Sequence, residues 1–153
     1  LSEHVLTYAF AVYGLEASKP VGALCIFCLL FCFVKVTSVL TDPRLCVDRA
    51  VGVELNRPLV WLSRWWAWRL GLLPSRASFY RADLWKFSLS PYQTVIVFGV
   101  DSMMEPLEAK MLQELRGSPT VVACRFPLPN LPCVMSTGEG PDAAYLYFPK
   151  PDK

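Results

Sequence analysis

Histidine is almost absent from this chain of 153 residues, and positive and negative charges nearly balance. His4 is the sole histidine and lies near one end, so catalysis by a histidine base has almost no candidate. Lys and Arg number 15 against 13 Asp and Glu, and the net charge of +2 is scattered rather than gathered into a basic stripe. This charge pattern argues against a nucleic-acid partner. The length suits one domain with a single core.

Six cysteines are present, but their pattern does not indicate a metal site or a disulfide framework. Cys25, Cys28 and Cys32 cluster among apolar neighbours, and no fourth ligand is placed nearby. A chain of this length with 54% hydrophobic residues does not need disulfide bonds to hold a core. We interpret these cysteines as small buried hydrophobic residues and predict no metal site.

One long apolar run lies in the N-terminal third. Residues 21–34, VGALCIFCLLFCFV, carry no charge, and after Lys35 the run continues to Leu40. If Lys35 reaches toward the interface, the segment approaches the roughly 20 residues that cross a bilayer. A buried core helix is the alternative, because soluble proteins also contain apolar runs of this length. We therefore divide the chain into a hydrophobic N-terminal segment, 1–49, which contains a predicted helix and is a candidate membrane anchor, and an α/β domain, 50–153.

Strand and helix patterns alternate from residue 50 onward, which favours a parallel α/β sheet. The predicted strands are 50–54, 77–82, 94–100, 120–125 and 142–148, and a helix is predicted over 104–116 with Pro106 in its first turn. The β-branched run TVIVFGV is typical of a central parallel strand that is buried on both faces. The proline-rich stretch FPLPNLPCVMSTGEGP is predicted to be a loop.

A tryptophan-rich helix is predicted after Glu54, with Asn56 as its cap, Pro58 in its first turn and Gly71 at its end. It carries four tryptophans interleaved with three arginines: Trp61, Trp65, Trp66 and Trp68, with Arg57, Arg64 and Arg69. The indoles could stack on a ligand or lie in a membrane interface. We favour the other interpretation, in which they pack on the sheet as core contacts.

Two carboxylates, Glu54 and Asp83, each follow a predicted strand. Because ligands of doubly wound sheets bind outside the carboxyl ends of the strands, both side chains are expected at that edge. An acidic residue after the second strand typically accepts hydrogen bonds from the ribose hydroxyls of a nucleotide. Carboxylates are also frequent at strand ends as helix caps and turn formers, so the pattern alone leaves both interpretations open.

Several sequence blocks resemble those of one enzyme family. In chain order they are VGVELNRPLVWLSRWWAWRLG, FYRADLWKFSLSPY, VIVFGVDSMM, VVACRFPLP and TGEGPDAAYLY. They are similar to blocks of the mitochondrial protein-lysine N-methyltransferases that modify the ATP synthase c subunit and the adenine nucleotide translocase. The resemblance runs from about Ala50 to Tyr147, and ELN-P, DLWK, RFPLP and GEG are its specific parts.

The resemblance implies a seven-stranded Rossmann-like fold, S-adenosyl-L-methionine as cofactor and methyl transfer to a lysine of a mitochondrial inner-membrane protein. It places Glu54 on the cofactor ribose, counts Asn56 in the cofactor-binding set and puts Asp83 and Leu84 beside the adenine. The lysine pocket would be lined from GVDSMM, by Gly99, Val100, Asp101, Met103 and Met104. Asp101 departs from the family, which tends to have proline there.

A second departure concerns the glycine-rich turn D-x-G-S-G-D-G-R that such enzymes carry after the first strand. It should lie about 20 residues before Glu54, yet no glycine occurs between Gly22 and Gly52. We therefore expect the first strand and its loop to be missing, the fold to be partial, and S-adenosyl-L-methionine binding to be weak or lost. The alternative function is a non-catalytic, membrane-anchored interaction module.

Overall fold

The computed structural model describes residues 7–12, 49–72 and 76–150, with backbone alone for 7–12 and Pro141. Seven strands, two α-helices and a short 3-10 helix, Gly140–Asp142, follow one another along these residues. The strands are β1 Thr7–Val12, β2 Arg49–Glu54, β3 Ala77–Arg81, β4 Thr94–Phe98, β5 Thr120–Cys124, β6 Met135–Thr137 and β7 Ala144–Tyr147. The helices are α1 Arg57–Arg69, between β2 and β3, and α2 Asp101–Glu114, between β4 and β5.

All seven strands form one sheet in the order β3-β2-β1-β4-β5-β7-β6. The first five strands of this order run parallel, and β7 is antiparallel to both β5 and β6. The chain moves outward from β1 through β2 to β3, then in the opposite direction from β4 to β5. Right-handed crossovers in opposite directions place α1 and α2 on opposite faces of the sheet. The direction changes between β1 and β4, where doubly wound folds form their ligand crevice.

The central strand β1 corrects our expectation that the first strand is missing. TYAFAV pairs with β2 on one side and β4 on the other. The expectation placed the glycine-rich turn that follows this strand about 20 residues before Glu54, whereas β1 ends at Val12 and β2 begins only at Arg49. The sheet therefore draws strands from both sides of the predicted boundary at Ala50. The apolar run 21–40, including the predicted N-terminal helix, lies outside the described residues; none of the helices that are described could cross a membrane.

The main core lies between α2 and the centre of the sheet. Val95 and Val97 of β4 are fully buried, which confirms that TVIVFGV contains a central parallel strand. Leu107 and Met111 of α2 pack in the same buried cluster. Burying side chains of this size contributes roughly 1.5–3 kcal/mol each. α2 begins at Asp101, three residues before the predicted start, so Pro106 lies inside the helix rather than in its first turn.

Two local features follow directly from glycine. In β2, Gly52 faces Phe79 of β3, and a Cβ at Gly52 would lie 2.5 Å from Phe79 Cδ1. The aromatic ring therefore occupies the space that a side chain would need. After α1, Gly71 adopts φ +67°, a left-handed conformation that glycine takes without strain, and the helix ends there as predicted.

Candidate functional site

The parallel strands end together in one row across the sheet. Backbone pairing aligns Arg81 with Glu54, Glu54 with Val12, and Val12 with Phe98, and the row continues to Cys124. Glu54 therefore lies at the carboxyl end of β2, directly beside the end of β1. The switch in chain direction between β1 and β4 lies at the next position of the row. This is the edge at which both predicted carboxylates were expected.

Only one of the two oxygens of the Glu54 carboxylate has a hydrogen-bond partner among the described residues. Its Oε1 accepts a hydrogen bond from the Asn56 backbone N–H at 2.8 Å. Its Oε2 is shielded from solvent and meets no donor among the described residues. Burial raises the pKa of Glu54, and hydrogen bonds from the backbone of Asn56 and Leu55 partly oppose that rise. A buried acceptor without a donor costs free energy, and a hydroxyl from a bound ligand would satisfy it.

The backbone around Glu54 is held in place by the end of β3. The Ala82 N–H donates to the Glu54 carbonyl at 3.2 Å, and Arg81 Nε donates to the Leu55 carbonyl at 3.3 Å. Asn56 occupies the N-cap of α1 as predicted, but its side chain makes no capping hydrogen bond. Within this turn the Glu54 carboxylate accepts the Asn56 N–H. The position of the carboxylate is therefore fixed relative to the start of α1.

Asp83 lies just past Ala82 and thus next to the Glu54 turn. Its Oδ1 accepts the Trp85 N–H at 3.0 Å, which closes a tight turn, and its carbonyl accepts from Lys86 and Phe87. The turn is attached to α2, because Lys110 donates to the Trp85 carbonyl and Glu114 accepts the Leu89 N–H at 2.7 Å. Leu84 is buried and belongs to the core cluster, so it joins this turn to the core.

The GVDSMM segment connects the end of β4 to the first turn of α2. Val100 is the N-cap of α2, and Asp101 is exposed in its first turn. A Cβ at Gly99 would lie 3.0 Å from Met103 Sδ, so glycine allows the backbone to lie against that side chain. Met103 and Met104 are both buried and belong to the core cluster. Gly99, Val100 and Asp101 are therefore the predicted pocket residues that lie at the edge itself.

Three residues that position the loop after β5 were missed by the sequence prediction: Arg125 directly after β5, Glu108 of α2 and Tyr147 of β7. Arg125 adopts φ 75°, which is strained for a residue with a side chain, and its N–H donates to the Ala143 carbonyl at 2.7 Å. The buried Glu108 accepts the Asn130 N–H at 3.0 Å, and Tyr147 Oη accepts the Leu128 N–H at 2.9 Å. Together these contacts hold the RFPLP loop beside the carboxyl edge. One signal was available, since Glu108 lies on the apolar face of α2, where a carboxylate indicates an internal partner.

The TGEG segment forms part of a hairpin rather than a simple loop. β6, Met135–Thr137, pairs with β7 within the stretch predicted to be a loop. Gly138 adopts φ +75°, and a Cβ there would lie 2.4 Å from the Asp142 carbonyl oxygen. This turn can therefore be built only with glycine at that position.

The tryptophans of α1 correct our preferred interpretation of that helix. Trp61, Trp68 and Trp65 are 73%, 68% and 48% exposed, so three of the four indoles face outward. The buried residues of α1 are instead Val60 and Ala67, which are small enough for the helix to lie close to the sheet. The packing prediction is wrong because the contact face of α1 is supplied by small side chains at i and i+7.

Comparisons with known proteins identify the family of this chain. A family model for the ANTKMT methyltransferase domain matches residues 37–135. The human lysine N-methyltransferase of the ATP synthase c subunit is 50% identical over 98 residues, which is 64% of this chain and 42% of that protein. The mouse adenine nucleotide translocase lysine N-methyltransferase is 44% identical over 98 residues, again 64% of this chain and 42% of that protein. The chain thus spans about two fifths of the length of these relatives.

Solved structures give the same fold. An RNA methyltransferase from Salinibacter ruber, in complex with S-adenosyl-L-homocysteine, has a TM-score of 0.67 at 18% identity, over 93% of this chain and 78% of that one. A ribosomal protein L11 methylase from Lactobacillus delbrueckii has a TM-score of 0.64 at 9% identity, over 93% of this chain and 68% of that one. At such low identity the likeness establishes the α/β methyltransferase fold alone. Because the family model covers more than half of the residues, the chain belongs to the ANTKMT methyltransferase domain family.

Proposed function

We propose that this chain contributes the cofactor edge and the lysine pocket of an S-adenosyl-L-methionine-dependent protein-lysine N-methyltransferase. The observation that carries the proposal is the buried Oε2 of Glu54 at the end of β2, which meets no donor within the described part of the chain. A ribose diol supplies the hydroxyl donors that this oxygen lacks. Family membership, and the names of relatives that methylate lysine, support the same reaction.

In this proposal Glu54, with Asn56 fixing its carboxylate, holds the ribose, and the Asp83–Leu84 turn borders the adenine. When bound, S-adenosyl-L-methionine supplies a methyl group activated by its sulfonium. The residues of the chain orient and desolvate a neutral lysine amine, since positioning dominates a transfer of this kind. Gly99, Val100, Asp101, Met103 and Met104 form or support one wall of the lysine pocket. The RFPLP loop, held by Glu108 and Tyr147, forms another.

The proposed substrate is a mitochondrial protein, the ATP synthase c subunit or the adenine nucleotide translocase, because these are the proteins named for the relatives. We propose that the reaction takes place at the inner membrane. Residues 21–40 remain our candidate anchor because of their apolar character, but as a segment attached to one side of the membrane. The strands before and after them, β1 and β2, pair in one sheet, which excludes a single crossing of the bilayer between them.

A second function is favoured by one sequence observation. The residues after β1 read YGLEASKP and lack the pattern D-x-G-S-G-D-G-R, whose glycines let backbone approach the methionine end of the cofactor. The chain would then bind the cofactor weakly or not at all and act as a non-catalytic, membrane-anchored interaction module. Cofactor affinity separates the two functions.

The test is titration calorimetry with S-adenosyl-L-homocysteine on the full chain and on a chain in which YGLEASKP is replaced by the family pattern. We expect weak or no binding to the first chain and recovered binding to the second. In the second chain Glu54→Ala should weaken binding by roughly 1–3 kcal/mol, the usual loss for hydrogen bonds to a charged acceptor. The matched control is Glu105→Ala, an exposed carboxylate on α2. Equal affinity of the Glu54 and Glu105 variants would reject the ribose assignment.

A further inference from the structure

One face of α1 consists of arginine and tryptophan only. Arg57, Trp61, Arg64, Trp65 and Trp68 follow the spacing i, i+4, i+7, i+8 and i+11, which places them along one side of a helix. All five are exposed, including the three indoles. We call these five residues the Arg/Trp face. Tryptophan side chains are seldom exposed to water to this degree, so three outward indoles on one helix indicate a binding surface.

The charges beside these indoles are all of one sign. The helix contains three arginines and no Asp or Glu. An open cleft of about 270 Å³ lies at the N-terminal half of the face, lined by Arg57, Val60, Trp61, Arg64 and Arg81. Three guanidinium groups and no carboxylate line this cleft, so it complements an anion, and guanidinium suits phosphate in particular.

Two of the three arginines of the cleft are held in position by backbone carbonyls. Arg64 donates from Nε and Nη2 to the Phe79 carbonyl at 3.0 and 2.6 Å, and Arg81 donates from Nε to the Leu55 carbonyl. A guanidinium has five N–H donors, so each of these residues keeps further donors after making those contacts. The cleft is therefore tied to the backbone of β3 and of the β2–α1 turn.

The polar side-chain groups of the Arg/Trp face are hydrogen-bond donors only. Arginine and indole nitrogens donate hydrogen bonds and accept none. A protein partner offers donors and acceptors together, and a nucleic-acid duplex presents phosphates with no apolar layer beside them for exposed indoles. The headgroup layer of a phospholipid bilayer offers phosphate and ester oxygens, which only accept, next to the apolar boundary where indole rings are enriched. Among these occupants the lipid surface is the one that this face complements.

We propose that the Arg/Trp face docks on an anionic lipid surface, with Arg57, Arg64 and Arg81 on headgroup phosphates and Trp61, Trp65 and Trp68 in the interface. This inference adds a membrane-facing surface to the proposed function. It can be tested separately, because lipid docking needs neither the cofactor nor the substrate lysine. The carboxyl edge with Glu54 would then be presented near the membrane plane, since α1 begins directly after that edge.

The test is cosedimentation of the full chain with vesicles of phosphatidylcholine alone or with about one third phosphatidylglycerol, at low and high salt. We expect stronger, salt-sensitive binding to the anionic vesicles and quenching of tryptophan emission by brominated acyl chains. Arg57→Gln should weaken anionic binding about fivefold, as expected for one charge near the surface. Trp61→Ala with Trp68→Ala should weaken it about tenfold or more.

The matched control combines Arg116→Gln and Phe148→Ala, an exposed arginine and an exposed aromatic away from α1. It should bind vesicles like the parent, and urea unfolding should confirm that all variants fold. Unchanged vesicle binding of the α1 variants would overturn the proposal and assign any membrane contact to another part of the chain. Equal binding to an acidic peptide or an oligonucleotide, or full competition by millimolar glycerophosphate, would also overturn it. A failure here leaves the Glu54 calorimetry result untouched, so the two proposals fail separately.

Discussion

The donor-free oxygen of Glu54 should make the protein without ligand less stable than it could be. Oε2 is shielded from solvent and lacks a donor among the described residues, while Oε1 is used by the Asn56 N–H. A buried acceptor without a partner costs about 1–3 kcal/mol. Because the residue as a whole is only half-buried, we take the lower end, about 1 kcal/mol. Glu54→Gln keeps an amide oxygen for the Asn56 N–H and places a neutral NH2 group at the position of Oε2. The expected gain therefore comes from removing a buried charge, because burying a neutral amide costs less than burying a carboxylate.

The pH dependence of this effect has a definite sign. Burial raises the pKa of Glu54 in the folded protein above 4.5, the value of an unperturbed glutamate. The folded state therefore holds this proton more tightly than the unfolded chain does. The stability gained from protonation is fully present below pH 4.5 and is lost as the pH rises through the raised folded pKa. The gain from Glu54→Gln should thus be full near pH 7.5 and should shrink toward about pH 4.

The assay is urea unfolding followed by tryptophan fluorescence at several pH values. Glu105→Gln is the control, because it makes the same charge change on an exposed site of α2. We expect Glu54→Gln to raise the free energy of unfolding by about 1 kcal/mol near neutral pH, relative to Glu105→Gln. If Glu54→Gln instead lowers that free energy, the carboxylate is stabilising in the absence of ligand, and the reasoning from a donor-free oxygen is wrong.

Three further predictions concern the supports of the site. Tyr147→Phe leaves the buried Leu128 N–H without its acceptor and should lower the free energy of unfolding by about 1–3 kcal/mol, whereas the half-buried Tyr145→Phe should change it little in the same urea assay. Glu114 has a lowered pKa: burial alone would raise it, but hydrogen bonds from Lys110 and the Leu89 N–H outweigh that effect. The stabilisation of the fold by its ionised carboxylate is therefore present above pH 4.5 and is lost as the pH falls through the depressed folded pKa. Glu114→Gln should lower the free energy of unfolding by a few tenths of a kcal/mol at neutral pH and leave it unchanged in acid. Gly52→Ala should lower the free energy of unfolding by roughly 1–3 kcal/mol, because the added methyl group overlaps the Phe79 ring. In thermal unfolding this loss should be smaller when Phe79→Leu is already present.

Local sequence patterns determined most of the elements and the chemical type of the edge. The β-branched run of β4, the Asn56 cap, Gly71 after α1 and the carboxylates after β2 and β3 all lie where their patterns indicate. These features depend on near neighbours in the chain, on backbone preferences and on the rule that parallel strands end at a common edge. The resemblance also held, because the family blocks are contiguous stretches that survive without knowledge of the contacts between them.

Tertiary structure alone decided which strand is central, which face of α1 is outward and what holds the RFPLP loop. TYAFAV has no local mark of a central strand, and its position comes from pairing with β2 and β4, which begin at Arg49 and Thr94. The outward indoles of α1 follow from Val60 and Ala67 being the residues that fit against the sheet, a choice that depends on the sheet as well as the helix. The donor-free Oε2 of Glu54 is likewise a property of a folded edge, because burial and hydrogen-bond partners exist only once distant strands meet.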